Sequence, residues 1–152
     1  MTDITSGWTE AELLQALAPS VKAGLQQVEA AGADWNAAGL LLAATPLAGV
    51  ALKGGTWRHD LWDAVKREFH SFACTSSKEY ADLRKQWKSL KEKGSHFALA
   101  SLSGVIGAHL GVASGIVAPL VIWLAVVALR VGLKALCATL GAPPTAPAAP
   151  AS

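Results

Sequence analysis

From Gly94 to Leu129 the chain runs for 36 residues without a formal charge, with only His96 and His109 as ionisable groups. A run of that length needs either a helix covered on every side or a non-aqueous surrounding. A chain of 152 residues has little material for such a cover. One bilayer span takes about 20 apolar residues, so the run is long for one crossing and suits two short ones. Ser114-Gly115 is the natural turn, which predicts membrane helices over Phe97–Ala113 and Ile116–Leu136. Pro119, in the second, is tolerated by helices in lipid.

The charges favour a hairpin over a single crossing. Arg84, Lys85, Lys88, Lys91 and Lys93 precede the neutral run, and Arg130 and Lys134 close it. A hairpin sets all seven on one side, where they fix topology and meet lipid headgroups; by the positive-inside rule that side is the cytoplasm. Arg130 then has to snorkel. The expectation is a small all-α protein of a bacterial inner membrane with its C-terminus cytoplasmic: cytoplasmic amphipathic helices followed by a two-helix transmembrane hairpin. Charged residues make up 16% of the chain against about 25% in ordinary globular proteins. The deficit is local, because every other charge lies before Gly94.

Four segments follow: a helical region over 1–55, an amphipathic helical hairpin over 56–94, the membrane hairpin over 95–138 and a disordered Pro/Ala-rich tail over 139–152. In the first, Thr9-x-x-Glu12 forms a capping box, with Trp8 and Leu13 at the staple positions. Apolar residues at helical spacing predict a helix over 9–31 with a break near Ala18, ahead of Pro19. Residues 1–34 carry five acids against one base, whereas 53–93 carry ten bases against six acids. That asymmetry points to a surface or membrane partner. Gly32–Asp34 reads as a turn, and Trp35–Leu52 as a buried core helix or an additional membrane segment.

Lys53-Gly54-Gly55 breaks the chain and Thr56 caps a helix in which Trp57, Leu61, Val65, Phe69 and Phe72 share a face. Ser76-x-x-Glu79 offers a second capping box for a helix reaching Lys93, with Tyr80, Leu83, Trp87 and Leu90 on one stripe. The two helices are expected to pair, and Trp57, Trp62, Phe69, Tyr80 and Trp87 to form a face for a cytosolic protein partner. No base-stacking platform or zinc finger accompanies the bases, which disfavours nucleic acid.

Cys74 and Cys137 are too few for a disulfide framework, and reduced thiols are expected; Cys137 is also a candidate for palmitoylation. His70 and Cys74 share a helix face, but a structural metal site wants four ligands, so no metal is expected. No phosphate-binding glycine loop, GxSxG or metalloprotease helix occurs. A non-enzymatic protein without a cofactor is the reading.

The most specific pattern is Ser103-x-x-x-Gly107-x-x-x-Gly111-x-x-x-Gly115. Small residues every fourth position let helices approach closely in lipid, either within the hairpin or between chains of a homo-oligomer. His109, expected near the middle of the first span, is a candidate pore or gating residue. A charged helical part followed by a 36-residue glycine- and alanine-rich neutral hairpin resembles the hydrophobic hairpin of pore-forming colicins, over about a quarter of the chain. The resemblance implies membrane permeabilisation. Colicins enclose their hairpin in a larger helical bundle, for which residues 1–93 are expected to be insufficient.

The leading expectation is therefore an oligomeric pore or membrane-disrupting effector of a bacterial defence or toxin system. The alternative is a membrane-tethered adaptor recruiting its partner through residues 56–93. A bundle whose apolar run is covered by oligomerisation is the third.

Overall fold

A computed structural model describes residues 5, 7–17, 19–32, 34–44 and 57–141. Among them are α1 (Glu10–Leu14), α2 (Pro19–Ala30), α3 (Trp35–Ala44), α4 (Trp57–Cys74), α5 (Ala81–Glu92), α6 (Ser95–Leu110), α7 (Ser114–Val131) and α8 (Leu133–Leu140). A 3-10 turn, Lys78–Tyr80, leads into α5, and no strand occurs among the described residues. The all-α expectation holds.

Thr9 caps α1 by accepting a hydrogen bond from the Glu12 N–H at 3.2 Å. The reciprocal half of the box is absent, because the Glu12 carboxylate accepts from the Ser95 hydroxyl at 2.6 Å. The expected helix over 9–31 is two helices. Pro19 is the first residue of α2, where its missing N–H is one of the helix's unpaired donors anyway. Asp34 then caps α3, its Oδ1 accepting from Ala37 N–H at 2.7 Å.

Only ten residues of the Trp35–Leu52 segment form α3 in the described structure, about 15 Å of helix and half a bilayer core. The rest of that segment, the Lys53–Gly55 breaker and the Thr56 cap lie outside the described residues. So do the Trp57 side chain and the tail from 142 onward.

α7 is the axis of the molecule. Every residue from Leu120 to Ala128 is buried, and α1, α3, α4, α6 and α8 all pack on it. Each Leu, Val or Ile taken from water contributes roughly 1.5–3 kcal/mol, so this helix dominates the core. Pro119 falls in its first half and forfeits the hydrogen bond to the Gly115 carbonyl, at an exposed end where water can substitute. Helices from residues 1–93 thus cover the middle of the second arm together with α6 and α8, while one side of α6 and both ends of α7 stay open. The cover works because α3 and α4 fit closely: a Cβ on Gly39 would lie 2.1 Å from the Trp62 ring, so only glycine lets these helices meet.

The hairpin itself is redrawn in three places. Its turn lies at Gly111–Ala113, because Gly111 adopts φ +70 and closes α6 with its N–H and that of Val112 both on the Gly107 carbonyl. Its second arm stops at Val131, where Gly132 (φ +91) separates α7 from α8. Of the two arms, only α7 is long and apolar enough to cross a membrane, and it is the one such helix among the described residues. The 16 residues of α6 span about 24 Å, against a hydrocarbon core of about 30 Å.

α4 and α5 meet at one end, where Phe72 packs edge-on against Tyr80 and Trp87 with ring centroids 5.8 and 4.9 Å apart. α5 otherwise lies along α6, so the expected α4–α5 pair is not a hairpin packed along its length. Nor does α5 start at a Ser76 box. The 3-10 turn intervenes, and Arg84 donates to the carbonyls of Ser71 and Phe72 in the last turn of α4 and of Ser77 in the link that follows. Finally, Cys74 at the end of α4 is bonded to Cys137 in α8. The expectation of two reduced thiols is corrected, and both the His70–Cys74 metal pairing and palmitoylation of Cys137 lose their thiol.

Candidate functional site

The hairpin is held at its base by α1. Glu10 and Glu12 lie two residues apart on this five-residue helix, and each grips a different end of the hairpin. Glu12 takes the start of α6, through Ser95 and through its carbonyl oxygen, 3.0 Å from His96 Nε2. Glu10 takes the end of α7, accepting from Arg130 Nε and Nη2 at 2.7 Å each. Glu29 of α2 accepts from Nη1 of the same guanidinium. Fork-to-carboxylate pairing of this kind is the strong form of an ion pair. The hydrogen bond from Arg130 holds the Glu10 carboxyl below the usual carboxylate range, against the opposing effect of burial. Arg130 also sits over the Trp123 ring, 5.1 Å from its centroid.

At the tip, His109 is the penultimate residue of α6, exposed rather than deep in a span. Its Nδ1 lies 3.1 Å from Glu68 Oε1 and 3.2 Å from the Tyr80 hydroxyl, which itself donates to Glu68 at 2.7 Å. Burial first, and the Glu68 contact second, push the Tyr80 phenol far above its ordinary range. Two glycines bound the hairpin along the chain. Gly94 (φ +128) precedes α6 and Gly132 (φ +91) follows α7, both in backbone regions that side chains disfavour.

The four small residues do not share one helix face. Ser103 is buried and its hydroxyl donates to the Leu99 carbonyl at 2.7 Å. Gly107 is buried against its own turn, where a Cβ would come within 2.5 Å of the Val112 carbonyl oxygen. Gly111 is the cap, and Gly115 stands in α7 with open space around it.

The bases are divided as well. Lys85, Lys88, Lys93 and Lys134 are exposed, Lys91 lies over Trp8 and Lys93 over Phe97, while Arg84 and Arg130 are committed to the contacts above. The expected partner face is core: Trp62, Phe69, Tyr80 and Trp87 are buried. Trp62 donates to Asn36 Oδ1 at 2.9 Å, and Trp123 to the Trp35 carbonyl at 2.9 Å.

Sequence reasoning passed over Glu10, Glu29 and Glu68, and gave Glu12 to a capping box instead of to Ser95. A lone arginine ending an apolar helix was the available signal, since such a charge requires partners; nothing in the spacing says which acids supply them. No protein-family model, curated protein or solved structure matches this chain.

Proposed function

We propose that this chain is a non-enzymatic membrane-active protein, which carries its apolar α6–α7 hairpin folded inward and releases it into a lipid bilayer. There the two arms cross as a pair and self-associate into a pore or disrupting assembly, as a bacterial effector or toxin would. One observation carries the reading: a helix with the length and composition of a membrane span is packed over Leu120–Ala128 against helices of the same chain, in a hairpin bounded by two glycine joints. Polar contacts at both ends of the hairpin, to Glu10, Glu12, Glu29 and Glu68, hold it. They can be exchanged for water, and the apolar seam along α7 can be exchanged for the hydrocarbon of a bilayer. The exposed Lys85, Lys88 and Lys93 suit anionic headgroups as the first point of attachment. The disulfide suits an oxidising compartment for the folded form, such as the cell exterior or a periplasm. An inner-membrane destination belongs to the released form. The adaptor reading has no such support, because its aromatic face is buried.

Ala100 and Ala108 provide the test, since both are exposed on α6 in the folded chain and would lie in hydrocarbon after insertion. Lysine at either should leave the folded chain within about 0.5 kcal/mol of wild type. Towards mid-bilayer, on the side of Ala100, the same lysine costs up to about 2.5–3.5 kcal/mol on insertion scales, and less at Ala108 nearer the tip. Wild type is expected to release dye from anionic vesicles, and the Ala100→Lys/Ala108→Lys variant to release little. Intact vesicles with wild type, or equal release by both proteins, would reject the proposal.

A further inference from the structure

The geometry points to a binding site for one divalent transition-metal ion, of the zinc class, formed by Glu68, Glu79 and His109 at the tip of the hairpin. The three donors come from three elements: Glu68 from α4, Glu79 from the 3-10 turn and His109 from the end of α6. Their ligand atoms all lie within 4.8 Å of one another. One pair, His109 Nδ1 and Glu68 Oε1, is 3.1 Å apart. Two donors bound to one ion at about 2.1 Å and at the tetrahedral angle are separated by roughly 3.4 Å, so this pair needs to open by only a few tenths of an ångström to form the edge of a coordination shell. Only the Glu79 carboxylate has to close in, and it is an exposed side chain on a short turn.

The donor types select the class of ion. One imidazole nitrogen with two carboxylate oxygens suits zinc and its transition-metal neighbours, whereas magnesium and calcium take oxygen ligands. Binding places the imidazole proton on Nε2 and replaces the Nδ1···Glu68 contact with two bonds to the ion. The Tyr80 hydroxyl, donating to Glu68 at 2.7 Å, fixes the carboxylate as an outer-shell partner does. His109 and Glu79 are open to solvent, which leaves a path for the ion and a position for water as the fourth ligand.

An ion held here would join the far end of α6 to α4 and to the turn before α5. It would therefore keep the hairpin tip docked, a regulatory role that rests on the proposed release. The binding itself does not rest on it, and is measured without lipid. The intact chain is titrated with Zn²⁺ by calorimetry, and with Co²⁺ by visible absorption, beside Glu79→Gln and His109→Gln. One ion per chain is expected, with affinity reduced at least about tenfold by either variant. Glu79→Gln should melt with wild type in the presence of chelator. A chain that takes up no ion saturably, with His109→Gln merely less stable, would show a hydrogen-bonded pin only and overturn the site. One ion per chain bound equally by both variants would overturn it too, by putting the metal elsewhere. Vesicle leakage plays no part in these outcomes, so failure of the metal site and failure of membrane insertion are told apart.

Discussion

The two arms of the hairpin have the same near-absence of charge and different fates. α7 is covered on all sides over Leu120–Ala128. α6 buries one side, through Ala98, Leu99, Leu102, Ser103, Ile106 and Gly107, and leaves Phe97, Ala100, Ala108 and His109 exposed. The difference is one of side-chain size more than polarity. In its buried stretch α7 presents bulky Leu, Val, Ile and Trp all round, and only complete enclosure keeps that surface from water. The open side of α6 carries Ala100 and Ala108, whose exposure costs little, beside His96, His109 and a single large apolar residue, Phe97, so a charge-free helix can serve as part of the wrapping. A lack of ionic groups limits what a helix can meet; bulk decides how much of it must be covered.

The comparison would break first at Trp123. Truncation to alanine should destabilise the chain by about 3–5 kcal/mol in urea unfolding, as for other buried large residues, while Phe97→Ala on α6 should move it by no more than about 0.5 kcal/mol. Equal effects would mean that the arms are buried alike. Next in size is the bond between α4 and α8. Paired serines at Cys74 and Cys137 should cost roughly 2–4 kcal/mol, read as a lower melting temperature that reductant no longer changes. The small-residue positions sharpen the contrast further. Gly107→Ala should cost about 1–3 kcal/mol through the Val112 carbonyl, whereas Gly115→Ala, with free space around it, should be neutral or stabilising by up to about 1 kcal/mol.

The smallest effect is expected at the exposed Glu10–Arg130 pair. Because the folded chain lowers the Glu10 pKa, the pair's contribution is fully present above the ordinary carboxylate value and fades as pH falls through the lowered one. Glu10→Gln should flatten that part of the stability–pH curve, and added salt should weaken it in wild type. An unchanged curve would remove Glu10 from the contacts that hold the base of the hairpin.

The helices were legible where periodicity and caps coincide. Leu61, Val65, Phe69 and Phe72 are buried as their spacing requires, as are Tyr80, Trp87 and Leu90. The break at Pro19 and the turn at Gly32 follow from the backbone chemistry of those residue types. The interior of the neutral run was less legible, because periodicity carries no signal where every residue is apolar or small. The turn therefore moved from Ser114-Gly115 to Gly111, the glycine that takes a left-handed conformation. Long-range pairings were not legible at all. Nothing in the spacing links Glu12 to Ser95, Arg130 to Glu10, or Cys74 to Cys137, since these contacts are set by how α7 is wrapped.

The sulfur–sulfur link carries a constraint on topology. It stitches the chain into a ring containing everything from Thr75 to Leu136, with both ends of that ring at one point. A loop whose ends are tied together outside a bilayer can traverse it only an even number of times. While the link is intact, α7 cannot pass through alone, and a second stretch of the same ring has to make the return journey.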